Sequence, residues 1–274
     1  MKMLLIIEAL LLILAALGQD HRAAVEGKII TLDMAPNSVD DQYDGCREKM
    51  AKLVETKYLK KEFKNSKDNF KEAWKDCENK IKKPRDNLNR NHLIAICVYT
   101  GNRVYREFNK DVGSDNLKYK DKTFKWYALH FFLTEAIQIL KSKQNECQSI
   151  YRRTKHEYKV KKGEEFRFGS FASFSLDYSQ TIDFGDKSCF EIKKYKGAEL
   201  TKYSEFPHEQ EVLIPPYETF KVTDVKTRTY KNKLWCKTVF VLEITGTRST
   251  LNCALFKPSF KNMIKKLFCG CCGS

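Results

Sequence analysis

Tyr203-Ser204-Glu205-Phe206-Pro207-His208-Glu209-Gln210-Glu211-Val212-Leu213-Ile214-Pro215-Pro216-Tyr217 holds an apolar triplet closed by two prolines. Val212-Leu213-Ile214 reads as a short buried strand, and the prolines end its pairing. Glu209 and Glu211 stand two residues apart at its entry. If the chain is already extended at Glu209, period-two alternation puts both carboxylates on one face. Like charges at that separation repel and raise one another's pKa. The pair makes sense where a cation, or a reaction centre becoming cationic, lies between them. The plainer reading is a solvated acidic loop ahead of a strand.

Outward from this stretch, β-branched and aromatic residues alternate with polar ones from Cys147 onward. The predicted strands are Ser149 to Arg153, Glu165 to Leu176, Cys189 to Tyr195, Glu211 to Ile214, Thr219 to Arg228, Lys233 to Ile244 and Asn252 to Phe256. Upstream the spacing is helical. Met50, Leu53, Val54 and Tyr58, then Phe63, Phe70 and Trp74, predict two amphipathic helices between Cys46 and Lys82, broken at Pro84. Asn91 to Tyr99 is a third apolar run, and Trp126 to Leu140 a longer helix with Leu129, Phe132, Leu133, Ala136 and Ile137 facing inward. An extended piece is expected at Lys28 to Leu32, followed by turn formers up to Tyr43. Helices followed by strands indicate an α+β fold rather than an alternating parallel sheet. No Gly-x-Gly-x-x-Gly or Walker loop occurs, so neither nucleotide-binding motif is supported.

The 274 residues carry 42% hydrophobic side chains and a formal net charge of +15. That is enough apolar content for a real core, and disorder is not expected. The lysines are scattered among acids, as in Lys57 to Lys75, with no nucleic-acid-binding signature, so the charge reads mainly as a solvated face and no nucleic-acid partner is expected. Met1 to Gly18, with Lys2, an apolar run and small residues at 16 and 18, has the build of a signal peptide and is too short to span a membrane comfortably. Residues 19–258 are expected to form one domain, helical over about 46–146 and β over 147–258, with a basic cysteine-rich tail at 259–274. That tail lacks the hydrophobic stretch of a glycolipid-anchor signal, so a secreted, extracellular protein is expected. Ten cysteines in an oxidising compartment favour disulfides over zinc, and no metal is expected. Cys97, in an apolar run, reads as a buried thiol. Cys269, Cys271 and Cys272 could pair with one another, join two chains or simply lie in a flexible tail.

Three features carry chemistry together. Arg152 ends a strand and offers a planar fork suited to a diphosphate, or is merely an exposed strand arginine. In Arg167-Phe168-Gly169-Ser170-Phe171-Ala172-Ser173-Phe174-Ser175-Leu176, Ser173 and Ser175 share one strand face, while Phe171 and Phe174 lie on opposite faces. Glu209 and Glu211 complete the set.

In this order, the chain resembles the arginine-specific mono-ADP-ribosyltransferases of vertebrate cell surfaces and secretions, with their Arg, Ser-x-Ser, Glu-x-Glu signature. Leu32 to Tyr43, Val98 to Asn102, Tyr127 to Thr134, Val212 to Glu218 and Asn252 to Phe256 also look like family stretches, so the likeness covers roughly residues 28 to 258. The resemblance implies a helical portion packed on an antiparallel β core of two sheets, with an NAD cleft between them. It implies cleavage of the nicotinamide–ribose bond of NAD, or of NADP, and transfer of ADP-ribose to arginine side chains of acceptor proteins. By the same likeness Glu211 is the catalytic glutamate, placed against a ribose that becomes cationic in the transition state. Glu209 attracts and deprotonates the incoming guanidinium. Arg152 clamps the diphosphate or the adjacent ribose, Ser173 positions Glu211, Tyr99 and Ser204 touch NAD, and Ser175 and Ser170 play secondary parts. Two departures lie close to the dinucleotide: Arg153 stands where glycine is frequent, and Ser170 where glutamine is frequent. The resemblance also implies disulfides Cys46–Cys253 and Cys147–Cys189, contributing roughly 5 and 4 kcal/mol through loop closure; Cys77 and Cys236 could form a third link. The rivals are an NAD glycohydrolase and a non-catalytic secreted basic protein of the same fold.

Overall fold

The computed structural model describes residues 29–64, 69–81, 83–144 and 147–256. The leader Met1–Gly18 and the tail cysteines 269, 271 and 272 lie outside the described residues.

The helical portion opens with α1 (Arg47–Leu53), which runs through a π-turn at Val54–Tyr58 into α2 (Leu59–Lys64). Then follow α3 (Phe70–Lys80), α4 (Arg90–Thr100), α5 (Tyr105–Ser114), α6 (Asn116–Lys120) and α7 (Tyr127–Lys143). Every residue of α4 from His92 to Tyr99 is buried, as is α7 from Tyr127 to Ile137, so these two helices are the centre of the helical core. Their starts are fixed by side chains. Asn89 accepts from the His92 amide at 2.9 Å while the His92 ring accepts from the Asn89 amide at 3.2 Å. Buried Glu62 accepts from the Ala128 amide at 2.8 Å, in the first turn of α7. The expected helices are present; α5 and α6 are additional to them.

The strands are β1 (Ile29–Thr31), β2 (Gln148–Thr154), β3 (Glu157–Lys159), β4 (Glu165–Phe166), β5 (Ala172–Ser175), β6 (Ser188–Tyr195), β7 (Ala198–Glu199), β8 (Glu211–Ile214), β9 (Glu218–Thr227) and β10 (Thr238–Thr247). Eight of them form one sheet in the order β4-β9-β10-β6-β2-β5-β8-β7, and β1 and β3 form a small parallel pair. The large sheet is mixed, not purely antiparallel: β6 and β10 run parallel, Cys189 opposite Val239. Leu213 packs into the helical core, whereas Val212 and Ile214 pack into a second core with Phe166, Phe190, Phe220 and Phe240. This is why the triplet at β8 is apolar throughout: each of its faces meets a core. Phe171 and Phe174 divide between the same two cores.

The strand expected at Asn252 to Phe256 is instead a turn of 3-10 helix, Ala254–Phe256. Cys253 has φ +56°, incompatible with an extended strand, and its amide donates to Asp41 at 2.9 Å. Beside it lies a fully satisfied buried ion pair. Arg167 donates to Asp40 at 2.6 Å, to the Met34 carbonyl at 2.8 Å, to Ala35 at 3.0 Å and to Arg248 at 2.5 Å. Asp40 also accepts from the Leu251 amide at 2.9 Å, so the segment ahead of α1 and the end of the sheet are tied through one carboxylate.

Cys46 pairs with Cys253, as expected. The other two expected bridges are corrected. Cys189 pairs with Cys236, and Cys77 with Cys97, so Cys97 is not a free thiol, and Cys147 is the cysteine left free among the described residues. The register explains the first correction. Antiparallel pairing sets Arg153 opposite Cys189 and Gln148 opposite Tyr195. Cys147 therefore lies at the far end of β6, about 20 Å from Cys189 at the rise of a strand. Cys236, just ahead of β10, arrives beside Cys189 instead. Cys77 and Cys97 face each other across α3 and α4, with Cα atoms 5.9 Å apart.

Candidate active site

Strand β2 pairs with β6 along most of its length but with β5 at one point only, Tyr151 opposite Ser175. Beyond it the two strands part, and a cavity of about 520 Å3 opens between them and the α4–α5 connection. Tyr99, Arg152, Ser173, Ser175, Glu209 and Glu211 all line it. Ser204 and Ser170 do not. Ser204 accepts from the Phe206 amide at 3.0 Å and so shapes the turn before Glu209. Ser170 lines a different cavity, with Ile29 and Phe168.

The two glutamates converge by a route other than strand alternation. Glu209 ends a short 3-10 turn, Pro207–Glu209, and is not extended. Gln210 then adopts φ +46°, ψ +49°, and Glu211 opens β8. One left-handed residue turns both side chains into the same cavity. The hydroxyl of Ser175 lies 2.7 Å from the Glu209 carbonyl and 2.9 Å from that of Asp177, and accepts from the Asp177 amide at 3.0 Å. It ties the loop carrying Glu209 to the end of β5.

Burial pushes both carboxyls up, each to about 7. On Glu211 a hydrogen bond with Ser173 and the charge of Arg152 oppose that rise, while the neighbouring Glu209 adds to it. Ser173 reaches Glu211 because residues diagonal across paired strands share a face; its direct partner is Leu213. Behind Ser173 stands Tyr99, whose hydroxyl is 3.4 Å from Ser173 Oγ, donates to the Phe171 carbonyl at 3.3 Å and accepts from Asn109 at 3.2 Å. Arg152 donates from Nη1 to the Ser173 carbonyl at 2.8 Å, and its Nε is buried with no partner. An acid pair poised near neutrality beside an under-bonded guanidinium can hold an anion at one end and a developing cation at the other.

Several lining residues escaped the sequence reading. Phe184 and Phe206 bring rings to the cavity. Phe184 is held there by the turn at Gly185, where φ is +109° and an added Cβ would lie 2.7 Å from the Lys155 nitrogen. Only glycine fits that close approach. An aromatic followed by glycine was the available signal. Asn109 bonds both Tyr99 and, through Oδ1, the Phe171 amide at 3.1 Å; nothing local in its helix distinguishes it.

The family described as NAD:arginine ADP-ribosyltransferase matches residues 32–238. The chain belongs to that family. Its ecto relatives include chimpanzee (Pan troglodytes) ecto-ADP-ribosyltransferase 4, 33% identical over 93% of this chain and 82% of the relative. Bovine (Bos taurus) ecto-ADP-ribosyltransferase 5 is 35% identical over 76% of this chain and 71% of the relative. Among solved structures, the eukaryotic mono-ADP-ribosyltransferase ART2.2 superposes with a TM-score of 0.68 at 31% identity, covering 83% of this chain and all of that one. A point mutant of it in complex with NADH gives the same TM-score. The ADP-ribosyltransferase fold implied by the sequence is therefore the fold of this protein.

Proposed function

We propose that this family member cleaves the nicotinamide–ribose bond of NAD and transfers ADP-ribose to the guanidinium of an acceptor arginine. The observation that carries the reading is the convergence of buried Glu211 and half-buried Glu209, both titrating near 7, on a cavity also lined by an under-bonded arginine. Arg152 takes the diphosphate, with its free donors matched to phosphate oxygens. Glu211, ionised and held by Ser173, faces the anomeric carbon and stabilises the positive charge that appears as nicotinamide departs. Glu209, on its own loop, attracts the cationic acceptor and accepts its proton, a task for which a pKa near the working pH is suited. Tyr99 braces Ser173 from behind, and Ser175 fixes the Glu209 loop. The rings of Phe184 and Phe206 offer flat faces for a planar heterocycle. The three disulfides among the described residues and the ecto relatives support action in an oxidising, extracellular setting, with arginine-bearing proteins as acceptors.

Incubating the protein with NAD and agmatine, and weighing the products by mass spectrometry, tests the reading. ADP-ribosylated agmatine with stoichiometric nicotinamide is expected. Free ADP-ribose alone would make the protein a glycohydrolase, and unreacted NAD would leave a non-catalytic member of the fold.

A further inference from the structure

Arg153 follows Arg152 on β2, lines the same cavity and is 9% exposed. Its surroundings are built. The guanidinium lies over the Trp235 indole, 4.9 Å from the ring centroid, and Nη1 donates to the Trp235 carbonyl at 2.8 Å. Trp235 is itself anchored, because the next residue, Cys236, is bonded to Cys189, which stands opposite Arg153 in the β2–β6 register. The charge, by contrast, is unanswered. Among the described residues neither Arg152 nor Arg153 has a carboxylate within 4.0 Å, and the Nε of each is buried without a partner. Asp186, whose charge acts on Arg153, is committed to Arg228 at 2.8 Å. A nearly buried guanidinium is ordinarily paired; Arg152 and Arg153, successive on β2, both line the one cavity, each with a buried Nε that has no partner.

We propose that Arg153 is a second phosphate ligand for the dinucleotide, so that Arg152 and Arg153 together grip its phosphate groups. The inference rests on the NAD-dependent reading above. A guanidinium already anchored over an indole and on a backbone carbonyl has little further freedom to lose on binding, and its planar fork suits two phosphate oxygens at once. The phosphate is either part of the shared diphosphate or the 2′-phosphate of NADP, and the two sources make different demands on substrate preference.

The test uses the full chain with agmatine as acceptor and with NAD and NADP as separate donors. Arg153→Gln removes the charge; Arg153→Lys keeps it but loses the planar fork. At least a tenfold rise in KM with kcat within about twofold is expected for Arg153→Gln, and a smaller rise for Arg153→Lys. Equal rises for both donors assign the diphosphate; a rise confined to NADP assigns the 2′-phosphate. Unchanged KM for both donors, in a variant that melts like the wild type, overturns the proposal while leaving the reaction intact. Should Arg153→Gln not fold, Arg153→Lys decides: a rise of threefold or more upholds the proposal, and an unchanged KM overturns it. Calorimetric binding of ADP-ribose separates the two readings. If wild type binds it without turning NAD over, and Arg153→Lys binds it at least threefold more weakly, the reaction assignment fails and the phosphate site stands.

Discussion

Arg167 and the pair Arg152–Arg153 are all buried arginines, yet they are treated in opposite ways. Arg167 is 1% exposed and spreads its donors over Asp40 and three backbone carbonyls. Arg152 and Arg153 each show one carbonyl partner and an Nε with none. The acids divide in the same way: Asp40 is surrounded by donors, whereas Glu209 has no compensating contact among the causes of its shift. A satisfied charge is a structural tie. A charge left short of partners in a cavity is set aside for something that arrives later, and stability is given up to keep it so.

The largest effects should come from breaking one member of each class. Arg167→Met strands Asp40 and should cost about 3–5 kcal/mol, read as a fall in the denaturation midpoint or failure to express folded protein. Glu211→Gln should do the reverse: transfer drops about a thousandfold, the scale of losing a principal electrostatic group, while the fold becomes more stable. The sign follows from proton counts. The folded-state pKa of Glu211, about 7, lies above the ordinary 4.5, so the folded state binds more protons between those values and stability from this group falls as pH rises through them. The gain in Glu211→Gln should be complete above about pH 7, at most about 3 kcal/mol, and vanish below about pH 4.5. A variant less stable at pH 8 than the wild type would place Glu211 among the structural ties.

A finer division is expected within the site. In Glu209→Gln, transfer to agmatine should fall about a hundredfold and NAD hydrolysis less than tenfold, measured on one product chromatogram. Equal losses would mean that both acids serve the ribose. The pH profile sharpens the division further: kcat/KM should fall as pH drops below about 7, because both glutamates protonate there in the free protein. The limb should steepen from tenfold toward a hundredfold per pH unit if both must be ionised. A flat profile down to pH 5 would contradict the burial that sets both values.

Elements defined by their own spacing were legible in the sequence. The stripe from Leu129 to Ile137 predicted α7, and the alternation around Ile150 and Ile192 predicted β2 and β6. The residues that came to the cavity by resemblance were Arg152, Ser173, Ser175, Glu209, Glu211 and Tyr99. What stayed hidden depends on contacts between distant segments. The strand drawn at Asn252 to Phe256 fails because the segment ahead of α1 holds it in a turn: the Asp41 carboxylate accepts from the Cys253 amide, and the Asp44 amide donates to the Asn252 side chain. The bridge from Cys189 could not be assigned before it was known that β10 runs parallel to β6 and delivers Cys236. Helix α5 was missed because Gly113 and Ser114 weaken its pattern, although Phe108 and Val112 are fully buried. Gln210, chemically unremarked in the sequence, takes a backbone conformation usual for glycine or asparagine, and strain of that kind has no compositional sign.

The parting of β2 from β5 has one more effect. An unpaired strand edge at the rim of a sheet invites another polypeptide to add itself there. Here the bare edge lies in the middle, with β6 on one flank and β8 on the other, so no foreign strand can dock against it. Across the parting a side chain stands in for a strand, since the Ser173 carbonyl of β5 accepts from Arg152 of β2.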